Sequence, residues 1–571
     1  MNKRLLLASS QLFIASQSTV ALLQPSHILD SISKSNLHRM NSSSQESQTW
    51  SSSDPADSVD ARKRLNIWPL DDDNAKLLDE VHPKSWPNTK EDTVYDLIAI
   101  GAGAGGLVSS RQVARRGGRS VMISAHLAGG DCLNVGCVPS KALIRSARMI
   151  REVRKAQSHP EFGVQIGGSV DVDFNAIMQR MRKLRAEIAP VDGHERGKDI
   201  GVDVFQGFGR FVDESTIEVV PSSGDEDPIR LKFKKAAICT GGRATIPDNI
   251  PGLKKAPYTT NETLFNLGKL PNHMVILGSG VVALEMAQVF ATYGSKVTVL
   301  VRSDTLFPRS DPDAGPYLQK SLEESSNVEF VKLAKLQNVE TLRDADGDDL
   351  PLMKLSISAN GEEMEIESDC LLVAAGRTPN VENLNLEAAN VDFDVKQGIL
   401  VDDLSKSVSN PNVFSVGDCT AGVPRLTHMS GEMAKVVVNN AIFDDDWKLS
   451  SLVVPACMYT EPEFASVGDV TGDNDSVDIY TASLEHIDRA ILDGDREGYV
   501  KIFCKKGTGT IVGCSLIAGR AGELINEVTL AMKHNIPLEG IGRNIHCYPT
   551  TGDAVMGCGL QLINSKWKRL D

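Results

Sequence analysis

The sequence lacks several features that would each define a class of protein. Basic residues are not in excess: 60 Lys and Arg stand against 75 Asp and Glu, which gives a formal net charge of -15. Such a chain repels a polyphosphate backbone, so we expect no nucleic-acid partner. No apolar run is long enough to predict a membrane span. Ten cysteines in 571 residues are too few and too scattered for a secreted disulfide scaffold.

The N-terminal region predicts no folded domain. Its first 29 residues contain Lys3 and Arg4, no acidic residue, and a short apolar stretch from Leu5 to Leu7. This pattern is typical of an organellar transit peptide (mitochondrion or plastid) or a weak secretory signal, with a plain disordered tail as the alternative. Residues 41–60 are rich in serine and offer little apolar surface. We therefore expect residues 1–92 to be a targeting or disordered region outside the fold.

Two stretches follow the order strand, glycine-rich turn, helix, which is typical of dinucleotide-binding units. In the first, the apolar run Tyr95–Ile100 precedes GAGAGG and a helical pattern that continues to Arg116. Gly101 allows the tight turn, Gly103 lets the backbone approach a pyrophosphate, and Gly106 lets helix and strand pack closely. The second strand ends in Ser124, where an acid usually holds a ribose, so that hydrogen bond must come from a hydroxyl or from elsewhere.

The second unit repeats the pattern in the middle of the chain. Residues 274–277 form an apolar run before GSGVVA, in which Gly278, Gly280 and Ala283 take the turn positions. The next strand ends at Arg302, and an arginine there accommodates the 2'-phosphate of NADP. We therefore predict NADPH rather than NADH, with a solvated surface charge as the alternative for this arginine.

The chemical signal is GGDCLNVGCVPSK, residues 129–141. Cys132 and Cys137 lie in a glycine-rich bend just before a predicted helix from Ala142 to Val153. A helix N-terminus favours the thiolate that redox chemistry needs. The alternatives are two structural cysteines or half of a zinc site, but no second pair at zinc-ligand spacing accompanies this one.

This segment resembles the active-site signature of the class I pyridine nucleotide-disulfide oxidoreductases, which include glutathione reductase, dihydrolipoamide dehydrogenase and mercuric reductase. The likeness runs from about Val94 to the C-terminus, because CTGG at 239–242, AAGR at 374–377 and VGD at 416–418 resemble other family motifs. It implies two doubly wound α/β dinucleotide-binding domains plus an α+β dimerisation domain. The implied boundaries are 93–242 with 373–447 for FAD, 243–372 for NAD(P)H and 448–571 for the interface.

The resemblance also implies roles for individual residues. Electrons would pass from NADPH through FAD to the disulfide, with Cys137 nearest the flavin and Cys132 as the interchange thiol. Further cofactor contacts are implied at the following positions: Lys141 beside the flavin, Asp418 on the ribityl chain, Glu285 near the nicotinamide, Thr427 and His428 at the helix that points at the flavin, and Gly241 and Gly376 in the turns that leave the two nucleotide domains.

The C-terminal segment IHCYPTTGD, residues 545–553, resembles the element that serves the partner subunit's disulfide in a homodimer. Here Tyr548 takes the place of the family histidine and Asp553 that of its glutamate. A tyrosine is a poor base at neutral pH. His546 lies two residues away on the same face of an extended segment and is the alternative base.

A missing base argues against a disulfide substrate and favours an acceptor bound by thiolates, such as Hg(II). Mercuric reductases also resemble this chain in the strand VTVLVRS, residues 297–303. Cys132 and Cys137 would bind the metal ion transiently, and Cys547 and Cys558 are candidates for a relay, or else inert small hydrophobes. The cysteine pair with which these enzymes usually end is missing. There is also no cysteine before Cys132, so we expect no N-terminal metal-capture domain. The alternatives are a lipoamide or glutathione reductase, a flavin-level quinone reductase, and a redox sensor with little turnover.

Overall fold

The computed structural model describes residues 49–88, 93–222, 224, 227–346, 349–472 and 475–568. The predicted targeting sequence lies outside these residues. In the part of the chain that is described, no helix is long and apolar enough to cross a membrane.

The first glycine-rich unit lies on a parallel sheet. Its elements, with the helices that precede them, are α1 (Pro55–Arg64), α2 (Asp72–Val81), β1 (Val94–Ile100), α3 (Ala104–Arg115), β2 (Ser120–Ser124), α4 (Gly130–Asn134), α5 (Cys137–Ser158), α6 (Phe174–Asp192), α7 (His194–Ile200), β3 (Val202–Asp213), β4 (Thr216–Pro221), β5 (Ile229–Ile238) and β6 (Gly242–Ala244). Strands β3, β2, β1 and β5 are parallel neighbours in that order, and β4 pairs antiparallel with both β3 and β5. The central strands are nearly continuous apolar runs because both faces are covered.

The second unit is inserted into the first. Its elements are α8 (Asn261–Leu264), β7 (His273–Leu277), α9 (Val281–Tyr293), β8 (Lys296–Leu300), α10 (Ala314–Ser326), β9 (Val328–Val331), β10 (Ala334–Arg343), β11 (Leu352–Ala359), β12 (Glu362–Ser368) and β13 (Cys370–Val373). Strands β13, β7, β8 and β9 are parallel in that order, and β10, β11 and β12 form an antiparallel sheet.

The chain then returns to the first sheet. The elements of this return are β14 (Arg377–Pro379), β15 (Phe393–Asp394), β16 (Gly398–Ile399), β17 (Val413–Ser415) and α11 (Thr427–Phe443). Strand β17 pairs parallel with β5, which makes the first sheet discontinuous in sequence. As a result, the first turn, the cysteine helices and the N-terminus of α11 meet at one edge of this sheet.

The C-terminal part is α+β, as predicted. It comprises β18 (Ala456–Met458), β19 (Glu463–Gly468), β20 (Val477–Ser483), α12 (Asp488–Asp493), β21 (Tyr499–Lys505), β22 (Ile511–Ala518), α13 (Ala521–Lys533), α14 (Leu538–Arg543) and α15 (Asp553–Ser565). The strands form an antiparallel sheet in the order β18, β19, β22, β21, β20. The predicted fold class, two doubly wound nucleotide-binding domains with an α+β dimerisation domain, is confirmed.

The prediction that residues 1–92 lie outside the fold is wrong for residues 49–88, which we call the N-terminal segment. Helix α2 buries Leu77, Leu78 and Val81 on one face, and Asp71 caps its N-terminus by accepting from Asn74 N at 2.9 Å. These side chains share a hydrophobic core with residues of the first unit. A serine-rich start concealed this apolar spacing, which is sufficient to order the segment once the first unit covers it.

Candidate active site

The first glycine turn borders a cavity of about 530 Å³. Gly101 has φ of +118°, and a Cβ there would lie 2.3 Å from Cys239 O. A Cβ on Gly106 would lie 1.8 Å from Gly101 O, so only glycine permits this close packing. Gly103 precedes α3, whose N-terminal N–H groups face the cavity edge as a dinucleotide pyrophosphate requires.

Most of the predicted FAD contacts line this cavity. They include Ser124, Gly241, Asp418 and Thr427, together with Gly101 and Gly103. Gly241 has φ of +70°, and a Cβ there would meet no protein atom within 4 Å, so the space beside it is free for a bound group. The glycine turn, the helix N-terminus and the open space beside Gly241 together fit FAD.

Arg377 is a cavity residue whose role the sequence did not reveal. Its Nε donates to Asp418 Oδ2 at 2.8 Å, and its guanidinium also pairs with Asp131. The arginine therefore fixes the carboxylate of Asp418 and links it to α4, which carries Cys132. Its signal was the AAGR motif, which we interpreted only as a turn.

The two cysteines lie on consecutive helices with both thiols partly buried. Helix α5 begins at Cys137, five residues earlier than predicted, so this thiol lies in the first helical turn. Its Sγ is 3.3 Å from Oγ1 of Thr427, the first residue of α11. A hydrogen bond from Cys132, followed by that of Thr427 and the charge of Lys141, lowers the pKa of Cys137 to about 6 against the opposing effect of burial. The same hydrogen bond, together with burial, raises the pKa of Cys132.

Lys141 connects the cysteine helix to the second nucleotide unit. Its Nζ donates to Glu285 Oε2 at 2.9 Å and lies 4.5 Å from the centre of the Tyr459 ring. Glu285 is buried in α9 and accepts a second bond from Tyr459 N at 2.9 Å. The Lys141–Glu285 pair, with its contacts to Tyr459, therefore joins both nucleotide units and the C-terminal domain. Tyr459 was not identified from the sequence, because it lies outside any glycine or cysteine motif.

The second glycine turn has the geometry of the first. Gly278 has φ of +119°, and a Cβ there would lie 2.4 Å from Ala374 O. Gly280 precedes α9, and Ala283 is fully buried where the helix packs on the sheet. Gly376 has φ of +132° in the turn that leads back to the first sheet. Arg302 follows β8 and is exposed.

The N-terminus of α11 lies beside the C-terminal domain. His428 Nε2 is 2.7 Å from Pro455 O, so this ring is hydrogen-bonded to the connection between the first sheet and β18. This contact fixes the helix end from which Thr427 reaches Cys137.

The candidate residues of the C-terminal segment differ in exposure and in their hydrogen-bond partners. His546 Nε2 lies 2.9 Å from Glu527 Oε1 on the same protomer, with a side chain only 9% exposed. Tyr548 is 74% exposed and donates to Asp488 Oδ2 at 2.6 Å. Asp553 begins α15, where its Oδ2 accepts from Thr550 N at 3.4 Å.

The two proposed relay cysteines differ in exposure. Cys547 is exposed, whereas Cys558 is fully buried in the core of the C-terminal domain. Burial raises the pKa of Cys558 to about 12. Of the two alternatives for Cys558, this burial favours the inert small hydrophobe over the relay, because α15 turns this thiol into the core.

Comparison with known proteins agrees with this architecture. The pyridine nucleotide-disulphide oxidoreductase family model matches residues 95–434, and the dimerisation domain model of the same family matches residues 454–557. The chain is 30% identical over 478 residues to a mercuric reductase from Lysinibacillus sphaericus, covering 83% of this chain and 84% of that protein. It is 29% identical over 479 residues to a dihydrolipoyl dehydrogenase from Bacillus subtilis (strain 168), covering 81% and 97%.

A solved structure shares the fold. It is the Cu(II) complex of the HOCl-induced flavoprotein disulfide reductase RclA from Escherichia coli, with a TM-score of 0.70 and 23% sequence identity, covering 82% of this chain and 100% of that one.

Two dinucleotide units that converge on a thiol pair define a flavin-linked dithiol oxidoreductase. The chain belongs to the pyridine nucleotide-disulphide oxidoreductase family. Members of this family are FAD-dependent enzymes that use NAD(P)H, and FAD supplies a carrier that accepts hydride from the nicotinamide and returns the electron pair to the disulfide.

Proposed function

We propose that this enzyme reduces a thiophilic metal ion, Hg(II), at the Cys132–Cys137 pair with NADPH as the reductant. The observation that carries this proposal is the C-terminal segment, which exposes Cys547 together with Tyr548, the residue that replaces the family histidine and donates to Asp488. The electron balance is simple: two electrons from NADPH convert Hg(II) to Hg(0), with release of NADP⁺ and a proton.

In the described C-terminal segment, Tyr548 takes the place of the family histidine, and this replacement favours a metal ion over a disulfide as the acceptor. Reduction of a disulfide needs a group that moves protons between the thiols and the leaving sulfur. Tyr548 is unsuited to this task, because its hydrogen bond to Asp488 raises the pKa of the phenol above its ordinary value of 10.0. Hg(II) needs thiolate ligands instead, and Cys137 with its lowered pKa supplies one near neutral pH.

In this proposal each residue has a definite task. Cys132 is the interchange thiol that meets the acceptor, and Cys137 holds the thiolate beside Thr427, which lines the cavity. Thr427 stabilises that thiolate through its hydroxyl, and the Lys141–Glu285 pair fixes the cysteine helix against the second nucleotide unit. The mercuric reductase among the relatives is consistent with this activity. The dihydrolipoyl dehydrogenase, whose sequence identity to this chain is about the same, is consistent with the competing disulfide activity.

The direct experiment measures anaerobic NADPH consumption by the FAD-loaded protein. Hg(II) with excess free thiol is compared with oxidised lipoamide and oxidised glutathione. We expect turnover with Hg(II) and little with either disulfide. Rapid turnover with a disulfide would instead make the proposal wrong and assign His546 as the base.

Alkylation separates this mechanism from transfer directly at the flavin. If electrons left from FAD to a quinone, blocking the reduced thiols would leave turnover unchanged. We expect alkylated enzyme to lose Hg(II) reduction. Steady NADPH consumption with any acceptor would also exclude a purely sensory role.

We propose that the enzyme prefers NADPH, because Arg302 is exposed two residues after the end of β8. This position is where the ribose of a bound dinucleotide is recognised in such a unit. Arg302→Glu should raise KM for NADPH strongly and lower the NADPH preference over NADH. Lys320→Glu is the matched control, because it reverses an exposed charge on α10 of the same domain. Equal effects of the two substitutions would contradict this assignment.

We propose that the active form is a homodimer, on the basis of the dimerisation domain match and of exposed apolar side chains such as Ile545, which is 93% exposed. The C-terminal segment would then complete the partner subunit's thiol site. Mixing protomers that carry Cys132→Ser with protomers that carry Cys547→Ala and Tyr548→Phe should restore activity in heterodimers. Failure to restore it, with heterodimers present, would place the whole site in one protomer.

The proposal keeps the predicted domain boundaries, which are 93–242 with 373–447 for FAD, 243–372 for NAD(P)H and 448–571 for the interface.

A further inference from the structure

The FAD cavity has an incomplete edge at the end of β2. Ser124 stands where a ribose-binding acid is usual, and its Oγ lies 3.5 Å from His126 O in its own loop. Ser124, Ala125 and His126 all line the cavity. A second part of the chain borders the cavity beside these residues.

That part is the N-terminal segment. Leu65 and Asn66 line the same cavity, although they precede residue 95, where the match to the family model begins. We call residues 64–66 the strap. It lies outside the matched family domain and was excluded from the fold by the sequence interpretation.

One end of the strap is fixed to the β2 loop through His82. Burial lowers the pKa of His82 to about 4, so its ring is neutral. Arg64 Nη1 lies 2.9 Å from His82 Nε2, and His82 Nδ1 lies 2.8 Å from His126 O. Because a guanidinium only donates, Nε2 accepts and Nδ1 carries the proton that binds the carbonyl. A backbone bond from Ala128 N to Val81 O at 3.0 Å strengthens the same junction.

The other end is fixed to the second unit through Asn66. Its Nδ2 donates to Glu262 O at 2.7 Å, and its backbone oxygen accepts from Asn266 Nδ2 at 2.8 Å. Asn66 has φ of +55°, a conformation that asparagine and glycine tolerate best. The strap is therefore held on both sides of the cavity.

A buried arginine also joins the N-terminal segment to α4, the helix that carries Cys132. Arg185 is fully buried, with Nη2 2.6 Å from Asn74 Oδ1 and Nη1 2.7 Å from Asn134 O at the end of α4. Release of this part of the segment would expose these groups, so the anchor at Asn74 stays in place even when the strap itself opens.

We propose that the strap completes the FAD site of this enzyme: residues 64–66 close the cavity beside Ser124–His126 and retain FAD by having to open before it can leave. This inference rests on the FAD binding common to the family and is independent of the acceptor.

The test is the rate at which FAD leaves the holoenzyme, followed by the fluorescence of released flavin after dilution. Asn66→Gly keeps the positive φ and removes the amide, and Asn266→Ala removes the donor from the other side. We expect both to release FAD roughly tenfold faster, the effect of losing about one or two hydrogen bonds. Asn88→Ala is the matched control, because Asn88 makes two bonds to the backbone of Gln206 but does not line the cavity.

Release from Asn66→Gly no faster than from Asn88→Ala would overturn the proposal. If a variant does not fold, hydrogen exchange of the wild-type protein gives an independent answer: protection of residues 64–68 should increase when FAD binds to the apoprotein, and unchanged protection would also overturn it. A wild-type protein that binds no FAD would contradict the flavin chemistry itself, which is a different outcome.

Discussion

Cys132→Ser and Cys132→Ala should differ in the pKa of the remaining thiol, although both lose the interchange sulfur. The pKa of Cys137 falls from 9.0 to about 6, which corresponds to about 4 kcal/mol in favour of the thiolate. Its largest cause is the hydrogen bond from Cys132. A hydrogen bond to a charged group contributes about 1.5–3 kcal/mol, or about one to two pH units.

Serine keeps a donor at this position and alanine does not. We therefore expect the Cys137 midpoint to stay near 6 in Cys132→Ser and to rise by about one to two pH units in Cys132→Ala. The assay is the rate of iodoacetamide alkylation against pH, with the modified peptide identified by mass spectrometry. Below the midpoint the thiol is protonated and alkylation is slow, and above it the rate reaches a plateau.

Cys457 provides an internal control in the same samples. Burial raises the pKa of Cys457 to about 12, so its alkylation should remain slow across this range. Identical midpoints in the two variants would refute the hydrogen-bond argument. A midpoint near 9 in Cys132→Ser would refute the lowered pKa as a whole.

Three further outcomes are expected. Cys132→Ser should still allow NADPH to bleach the bound flavin in stopped-flow absorbance but should abolish turnover; full turnover without this thiol would contradict a disulfide mechanism. Cys558→Ala should leave the rate of Hg(II)-dependent NADPH oxidation unchanged because its thiol is buried, whereas Cys547→Ala should lower it, and the reverse order would contradict the exposure argument. Arg185→Met should leave two buried acceptors unpaired, at about 1–3 kcal/mol each, and make residues 49–88 more sensitive to limited proteolysis; unchanged cleavage would exclude this anchor.

Local patterns predicted the elements well where apolar runs and glycines coincide. The strand predicted from Tyr95 to Ile100 differs by one residue from β1, and the helical pattern predicted to continue to Arg116 ends at Arg115. The start of helix α5 was predicted five residues too late. Gly136 at its N-cap offers no side-chain cap, and the glycine-rich bend appeared to be a loop.

The sequence by itself determined the class of chemistry, since the cysteine spacing and the two glycine turns are properties of short segments. Only the tertiary structure brought Thr427 to Cys137, Glu285 to Lys141 and Arg377 to Asp418, because these pairs are more than 40 residues apart and meet through sheet topology. The tertiary structure likewise left Cys547 exposed and buried Cys558, and packing against the first unit ordered residues 49–88. Such outcomes depend on which surfaces cover each other, which no local pattern specifies.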